Sequence, residues 1–267
     1  PNYFFFQFLC ILINVTLLMM FFRRYVSNIP LAFMIMLVMS GFEININLVR
    51  NSISILLFVN AIVFIEKKQF LPFLLVCLLG FTFHSSSLAY IPMYFIINRK
   101  FNKYIMMAIF AVANVIYLFH IPILKSLILL VVDYIMPSTK LWVEAYLSMD
   151  LSTGSVLSIG YLERLLTGIL LFCYIDKLRE VRNGNNIFVN SMLFYLCTFL
   201  FLSEFRTISL RCSYLFIYAY WIVWIDLIKC FTYRNNKILY LSFVALYSLL
   251  KVYFLNTTAM SEYYNIT

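Results

Sequence analysis

Residues 3–22 (YFFFQFLCILINVTLLMMFF) form an apolar run without one charged side chain, and similar runs recur along the whole chain. In lipid such a run can satisfy its backbone polar groups only as a helix, and about 20 residues cross the hydrocarbon layer. Composition makes lipid the natural surroundings. Of 267 residues, 64% are apolar and 12% charged, against roughly 25% charged in a soluble domain; mean hydropathy is +0.93. A soluble fold of this size would still expose about a quarter of its unfolded surface. A soluble enzyme, a disordered chain and a collagen-like fibre are all excluded.

The runs predict an all-α, polytopic integral membrane bundle, one domain over 1–267, with about ten spans. They fall at 3–22, 29–42, 51–65, 69–83, 86–97, 104–120, 156–175, 187–203, 208–228 and 238–255. The 69–83 and 86–97 pair is short and meets at His84-Ser85-Ser86-Ser87, which fits two tilted half-length helices or a re-entrant hairpin. Stretch 121–136 reads as an interfacial amphipathic helix, with an eleventh span as the alternative. No repeat or linker interrupts the chain, and the six cysteines stand singly and read as small hydrophobes.

The excess of 20 Lys and Arg over 11 Asp and Glu reads as topology rather than nucleic-acid binding, because the basic residues are dispersed among short loops. Arg23, Arg24, Lys67, Lys68, Arg99, Lys100, Lys103, Lys177, Arg179, Arg182, Lys229, Arg234 and Lys237 fall in alternate loops. The positive-inside rule puts those loops in the cytoplasm. The opposite, outer face then carries the 43–50 loop, the HSSS turn, the long 120–155 segment and the 204–211 loop.

Four arginines break the pattern: Arg50, Arg164, Arg206 and Arg211 lie on or just below the disfavoured outer face. Each could snorkel or pair with an acid, Glu163 with Arg164 or Glu204 with Arg206. Together they read as an anion site, since guanidinium grips phosphate oxygens bidentately and keeps its charge when desolvated. The natural ligand at a membrane surface is a lipid-linked pyrophosphate. His84 has two readings, a ring bonded to a neighbouring backbone or serine oxygen, or a proton acceptor or phosphate ligand. Ser85, Ser86 and Ser87 read as caps of the next helix. Glu43 beside Arg50 is a candidate base or a support for that arginine. Tyr214, Tyr218, Tyr220, Trp221 and Trp224, with Trp142 and Tyr146, read as an interfacial belt or a sugar groove. No metal site is expected from two histidines and scattered cysteines.

Residues 47–97 resemble the EpsG family of bacterial polysaccharide polymerases, relatives of the Wzy O-antigen polymerases. The resemblance is carried by Asn47, Arg50, Phe83, His84, Ser86, Ser87, Leu88 and Pro92, and later by Arg211, Ser213, Tyr214 and Leu215. Asn51 stands where the family usually has Gln. The family's upstream acidic, tyrosine-containing motif is absent and the first residue is Pro1, so the chain is expected to begin inside a longer protein. The resemblance implies a glycosyltransferase of the bacterial inner membrane that moves an undecaprenyl-pyrophosphate-linked oligosaccharide onto a new lipid-linked repeat unit, in exopolysaccharide or lipopolysaccharide synthesis. It would need no cofactor. Its partners would be those lipid-linked glycans, membrane lipid and a chain-length regulator protein. Within it, Arg50 and Arg211 would hold pyrophosphate, with Arg206, Arg164 and Asn47 contributing, and His84 or Glu43 would activate the acceptor hydroxyl. A lipid-linked oligosaccharide flippase and an O-antigen ligase are the competing readings.

Overall fold

Tyr3–Tyr25 (α1) opens the chain in the computed structural model, which describes residues 3–41, 49–135, 140–149 and 157–264; every regular element among the described residues is helical. It is followed by Ile29–Met36 (α2), which runs on into a π-helical turn at Leu37–Gly41, then Val49–Glu66 (α3) and Phe70–Phe83 (α4). A 3-10 turn at Ser85–Tyr90 leads to the single turn Met93–Ile96 (α5). Lys103–Leu118 (α6), Ile123–Ile135 (α7), Lys140–Met149 (α8), Ile159–Glu180 (α9) and Asn186–Phe201 (α10) come next. Arg206–Tyr214 (α11), Tyr218–Cys230 (α12) and Arg234–Tyr264 (α13) complete it. Local chemistry sets several starts. Asn28, Asn102 and Ser158 each cap a helix by accepting from a backbone N–H, and Pro30 sits in the first turn of α2, where its missing N–H costs nothing.

The helices follow the predicted apolar runs, but the count of ten spans is not reached on length and composition. Among the described residues only Phe5–Tyr25 is long and apolar enough to cross a membrane alone, or up to three spans if two bent pairs each count as one. One bent pair is α6 with Ile123–Tyr134, at 87°; the other is α11 with α12, at 62°. The reason is geometric. Phe70–Phe83 has 14 residues, about 21 Å at 1.5 Å per residue, short of a ~30 Å hydrocarbon layer. The run at 86–97 is no helix of span length but the 3-10 turn plus α5, and the run at 208–228 breaks between Tyr214 and Tyr218.

Residues 70–97 form a hairpin with His84 at its tip. Phe70 and Phe73 pack on the Tyr94 ring near its open end, and the Ser87 hydroxyl donates to Cys77 O at 2.8 Å near the tip. Gly80 makes the return possible, because a Cβ there would lie 2.5 Å from Ser87 Oγ. The hairpin packs on α3, which packs in turn on α1. Asn14 of α1 donates to Ser52 of α3 at 2.6 Å, and Asn60 to Leu17 O at 2.9 Å. Such polar contacts hold helices together where hydrophobic burial gives no preference for one apolar neighbour over another.

Helices α10 and α12 are the centre. Every residue from Tyr218 to Leu227 is buried, with α2, α9, α10 and α13 around α12. Tyr218, Tyr220, Trp221 and Trp224, and Tyr214 just before them, are therefore core side chains. They line no groove and form no belt. The outer surface is the reverse case. Phe5, Phe8, Leu12 and Val15 on α1, Leu75 and Leu79 on α4, and Leu127, Leu130 and Tyr134 on α7 are large, apolar and exposed. Water would penalise that surface, and lipid would not.

The basic loops gather at one end. Lys103 pairs with Asp176 at 2.6 Å, Arg179 donates to Phe101 O, and Arg182 pairs with the fully buried Asp226. Gly184 lies against the Glu66 carboxylate. Arg50 begins α3 and Glu66 ends it, so the Arg50 end of the molecule is about 24 Å away along that helix.

Candidate functional site

At the end remote from the basic loops lies a hollow of about 300 Å³, lined by Arg50, Asn51, His84, Ser86, Arg211, Cys212 and Leu215. Three elements bring these residues together. The first turn of α3 supplies Arg50 and Asn51, the hairpin tip supplies His84 and Ser86, and the last turn of α11 and its exit supply Arg211, Cys212 and Leu215. Tyr90 ties the second element to the third. Its buried hydroxyl donates to Leu215 O at 2.8 Å, and its ring stacks on Phe58 of α3 with centroids 3.7 Å apart. The three walls therefore share one buried tyrosine.

Both arginines have exposed side chains. Among the described residues, no carboxylate lies within ion-pair distance of Arg50, Arg206 or Arg211. Two guanidinium groups facing one hollow repel each other, an arrangement that an anion would relieve. His84 has an extended backbone and joins α4 to the 3-10 turn. Partial burial, then the positive charges of Arg50 and Arg211, hold its imidazole below the ordinary value of 6.5. A neutral imidazole beside two fixed cations can accept a proton at pH 7 and can still donate a hydrogen bond.

The other residues singled out in the sequence fall elsewhere. Arg206 is exposed at the start of α11 and does not line the hollow. Arg164 lies below the surface and not on it. It is buried within α9, donates to Gly160 O at 2.7 Å and Tyr195 Oη at 3.1 Å, and lies 3.8 Å over the Phe199 ring. Neither expected arginine pairing forms. Glu163 binds Lys251 at 2.8 Å and the Tyr247 hydroxyl, and Glu204 accepts from the Lys125 backbone N–H at 3.0 Å. Glu43 and Asn47, and the side chain of Tyr146, lie outside the described residues. Trp142 is exposed on α8, away from the lining residues of the hollow.

Four lining residues were not read from the sequence as part of the site: Asn51, Ser86, Cys212 and Leu215, although Ser86 and Leu215 carry the family resemblance and Asn51 stands in place of its Gln. The available signal was adjacency, since each lies within four positions of Arg50, His84 or Arg211.

The chain matches the EpsG family over residues 1–267 and belongs to it, a family of Wzy-like, polymerase-related proteins. No curated protein and no solved structure is significantly similar to the chain. Family and apolar surface together point to a membrane protein with a role in exopolysaccharide or O-antigen synthesis.

Proposed function

We propose that this protein is a polysaccharide polymerase of the bacterial inner membrane, a multi-pass glycosyltransferase whose donor is a glycan on undecaprenyl pyrophosphate. The observation that supports this best is the hollow itself, where Arg50 and Arg211 face His84 at the end opposite the gathered basic loops. With those loops in the cytoplasm, the hollow opens to the outer side, where lipid-linked repeat units are assembled. The short helices then cross as tilted or broken spans of one polytopic bundle, with α7 lying in the outer interface, its exposed leucines in the lipid.

The chemistry is one substitution at the donor's anomeric carbon. The bond from that carbon to the pyrophosphate oxygen breaks, and the electron pair leaves with the diphosphate. A hydroxyl of the new repeat unit bonds to the same carbon, and its proton passes to the His84 imidazole. Arg50 and Arg211 stabilise charge as it develops on the leaving group, where preorganised donors act most strongly. The anomeric carbon gains oxocarbenium character on the way. Arg206, five positions before Arg211 and without an acidic partner among the described residues, extends the positive surface toward the lipid tail. Glu43, the alternative base, and Asn47 stand seven and three positions before Arg50 in the sequence.

Deletion of the gene in its native host tests the reading. Surface glycan should collapse to single repeat units. A flippase or a ligase would instead leave no surface glycan when deleted, and that outcome would refute the proposal.

A further inference from the structure

Behind His84 stand two polar side chains that the reaction above does not use. The Ser86 hydroxyl donates to Asn51 Oδ1 at 2.7 Å, and Ser86 Oγ is also 2.7 Å from His84 Nδ1. Asn51 is 5% exposed, so its amide is held in place rather than free to turn in solvent. A serine hydroxyl has one hydrogen. With that hydrogen on Asn51, Ser86 can meet the imidazole only as an acceptor, which requires the ring proton on Nδ1.

We propose that Asn51, acting through Ser86, is a positioning residue that fixes His84 as the Nδ1–H tautomer and leaves the lone pair on Nε2. This rests on the reading of His84 as the proton acceptor. A neutral imidazole left to itself exchanges between two tautomers, and the bond made by one nitrogen decides the state of the other. The relay converts a ring that could donate or accept into one that accepts at Nε2. A rival arrangement exists in the same turn, for the Ser86 backbone N–H lies 3.2 Å from Nδ1. It would place the proton on Nε2 and needs the Asn51 amide reversed, donating to Ser86. What favours the relay is the orientation of the Asn51 amide, which turns Oδ1 and not its NH2 toward Ser86.

The chain has two histidines, which makes the test direct. The full-length protein is labelled with ¹⁵N-histidine in lipid nanodiscs, and a His120→Gln variant assigns the spectrum. At pH 7.5 the His84 signals should show a protonated Nδ1 and a bare Nε2. Asn51→Leu should lose that signature and slow polymerisation by at least about tenfold with KM for the lipid-linked unit unchanged. Asn51→Asp, which keeps an acceptor for Ser86, should retain both. A bare Nδ1 with the proton on Nε2 in the wild-type protein overturns the proposal, as does an Asn51→Leu variant, folded by its His120 signals, with an unaltered His84 tautomer. Either result leaves the polymerase reading to stand or fall on glycan length alone.

Discussion

Gly80 is the position at which the structure makes its sharpest mechanical demand. A Cβ placed there meets Ser87 Oγ at 2.5 Å, Ser87 Cβ at 3.3 Å and Ser54 Oγ at 3.4 Å. The first distance is inside any van der Waals contact. Alanine raises intrinsic helix stability by about 1 kcal/mol over glycine, while overpacking costs about 1–3 kcal/mol. Gly80→Ala should therefore destabilise by up to about 2 kcal/mol, equivalent to a fall of up to roughly 4–8 °C in Tm for a chain of this size. Relief has one route. Removing Oγ in Ser87→Ala clears the worst contact but also gives up the bond to Cys77 O, worth about 1 kcal/mol. The double variant should lie above the sum of the two singles by about 1 kcal/mol. Thermal unfolding in detergent, read by tryptophan fluorescence, measures all four corners of the cycle. Because the clash is at the base of the turn that carries His84, surface glycan should shorten in Gly80→Ala and recover in the double variant. A Gly80→Ala protein more stable than wild type, or strictly additive variants, would refute the packing argument.

His84 gives a pH prediction whose sign follows from its environment. A histidine held below 6.5 in the folded state is neutral at pH 7, and the acid limb of the rate profile should lie below 6.5. Arg211→Gln removes one of the cations responsible and should move that limb upward. Burial is the larger cause of the depression and the cations the smaller, so an acid limb that does not move in Arg211→Gln would show that this cation does not act on the ring. The same depression stabilises the fold above pH 6.5, and that contribution is lost as pH falls through the folded value. Arg164→Met should cost about 3 kcal/mol, from two bonds made by a buried charge and a cation–π contact. Glycan length should be unchanged in the folded fraction, and wild-type stability in this variant would contradict a structural role. Tyr90→Phe should cost about 1 kcal/mol through the lost bond to Leu215 O, measured as a fall in Tm. It should also weaken diphosphate binding, since it frees the Arg211 wall from the hairpin.

The helices were legible in the sequence because apolar runs obey a one-dimensional rule. The caps at Asn28, Asn102 and Ser158 came only with the structure. The hairpin tip was legible too, since a short run ending in His-Ser-Ser-Ser has few ways to continue. What could not be read is which apolar face meets protein and which meets lipid. In a bundle suited to lipid both faces are greasy, so Trp221 and Trp224 look the same whether they fill a core or sit at a headgroup. The break at Leu215–Ile217 was hidden for a similar reason, because no proline or glycine marks it. Within the site, charge was visible and second partners were not. Arg50, His84 and Arg211 stood out by type. Asn51 and Ser86 acquire meaning only from a contact that joins positions 35 apart. Arg164 shows the converse, a conspicuous charge whose neighbours Tyr195 and Phe199 lie on another helix.

Affinity for a diphosphate is the most direct test of the central reading. Inorganic pyrophosphate is titrated into the protein in neutral-lipid nanodiscs by calorimetry, beside Arg50→Lys and Arg211→Lys variants. Lysine keeps the charge and loses the fork, so each variant should bind about 10- to 100-fold more weakly, the worth of one charge-assisted bidentate contact. Variants that bind as tightly as the wild type, or a wild-type protein that binds no pyrophosphate, would contradict the assignment of the hollow.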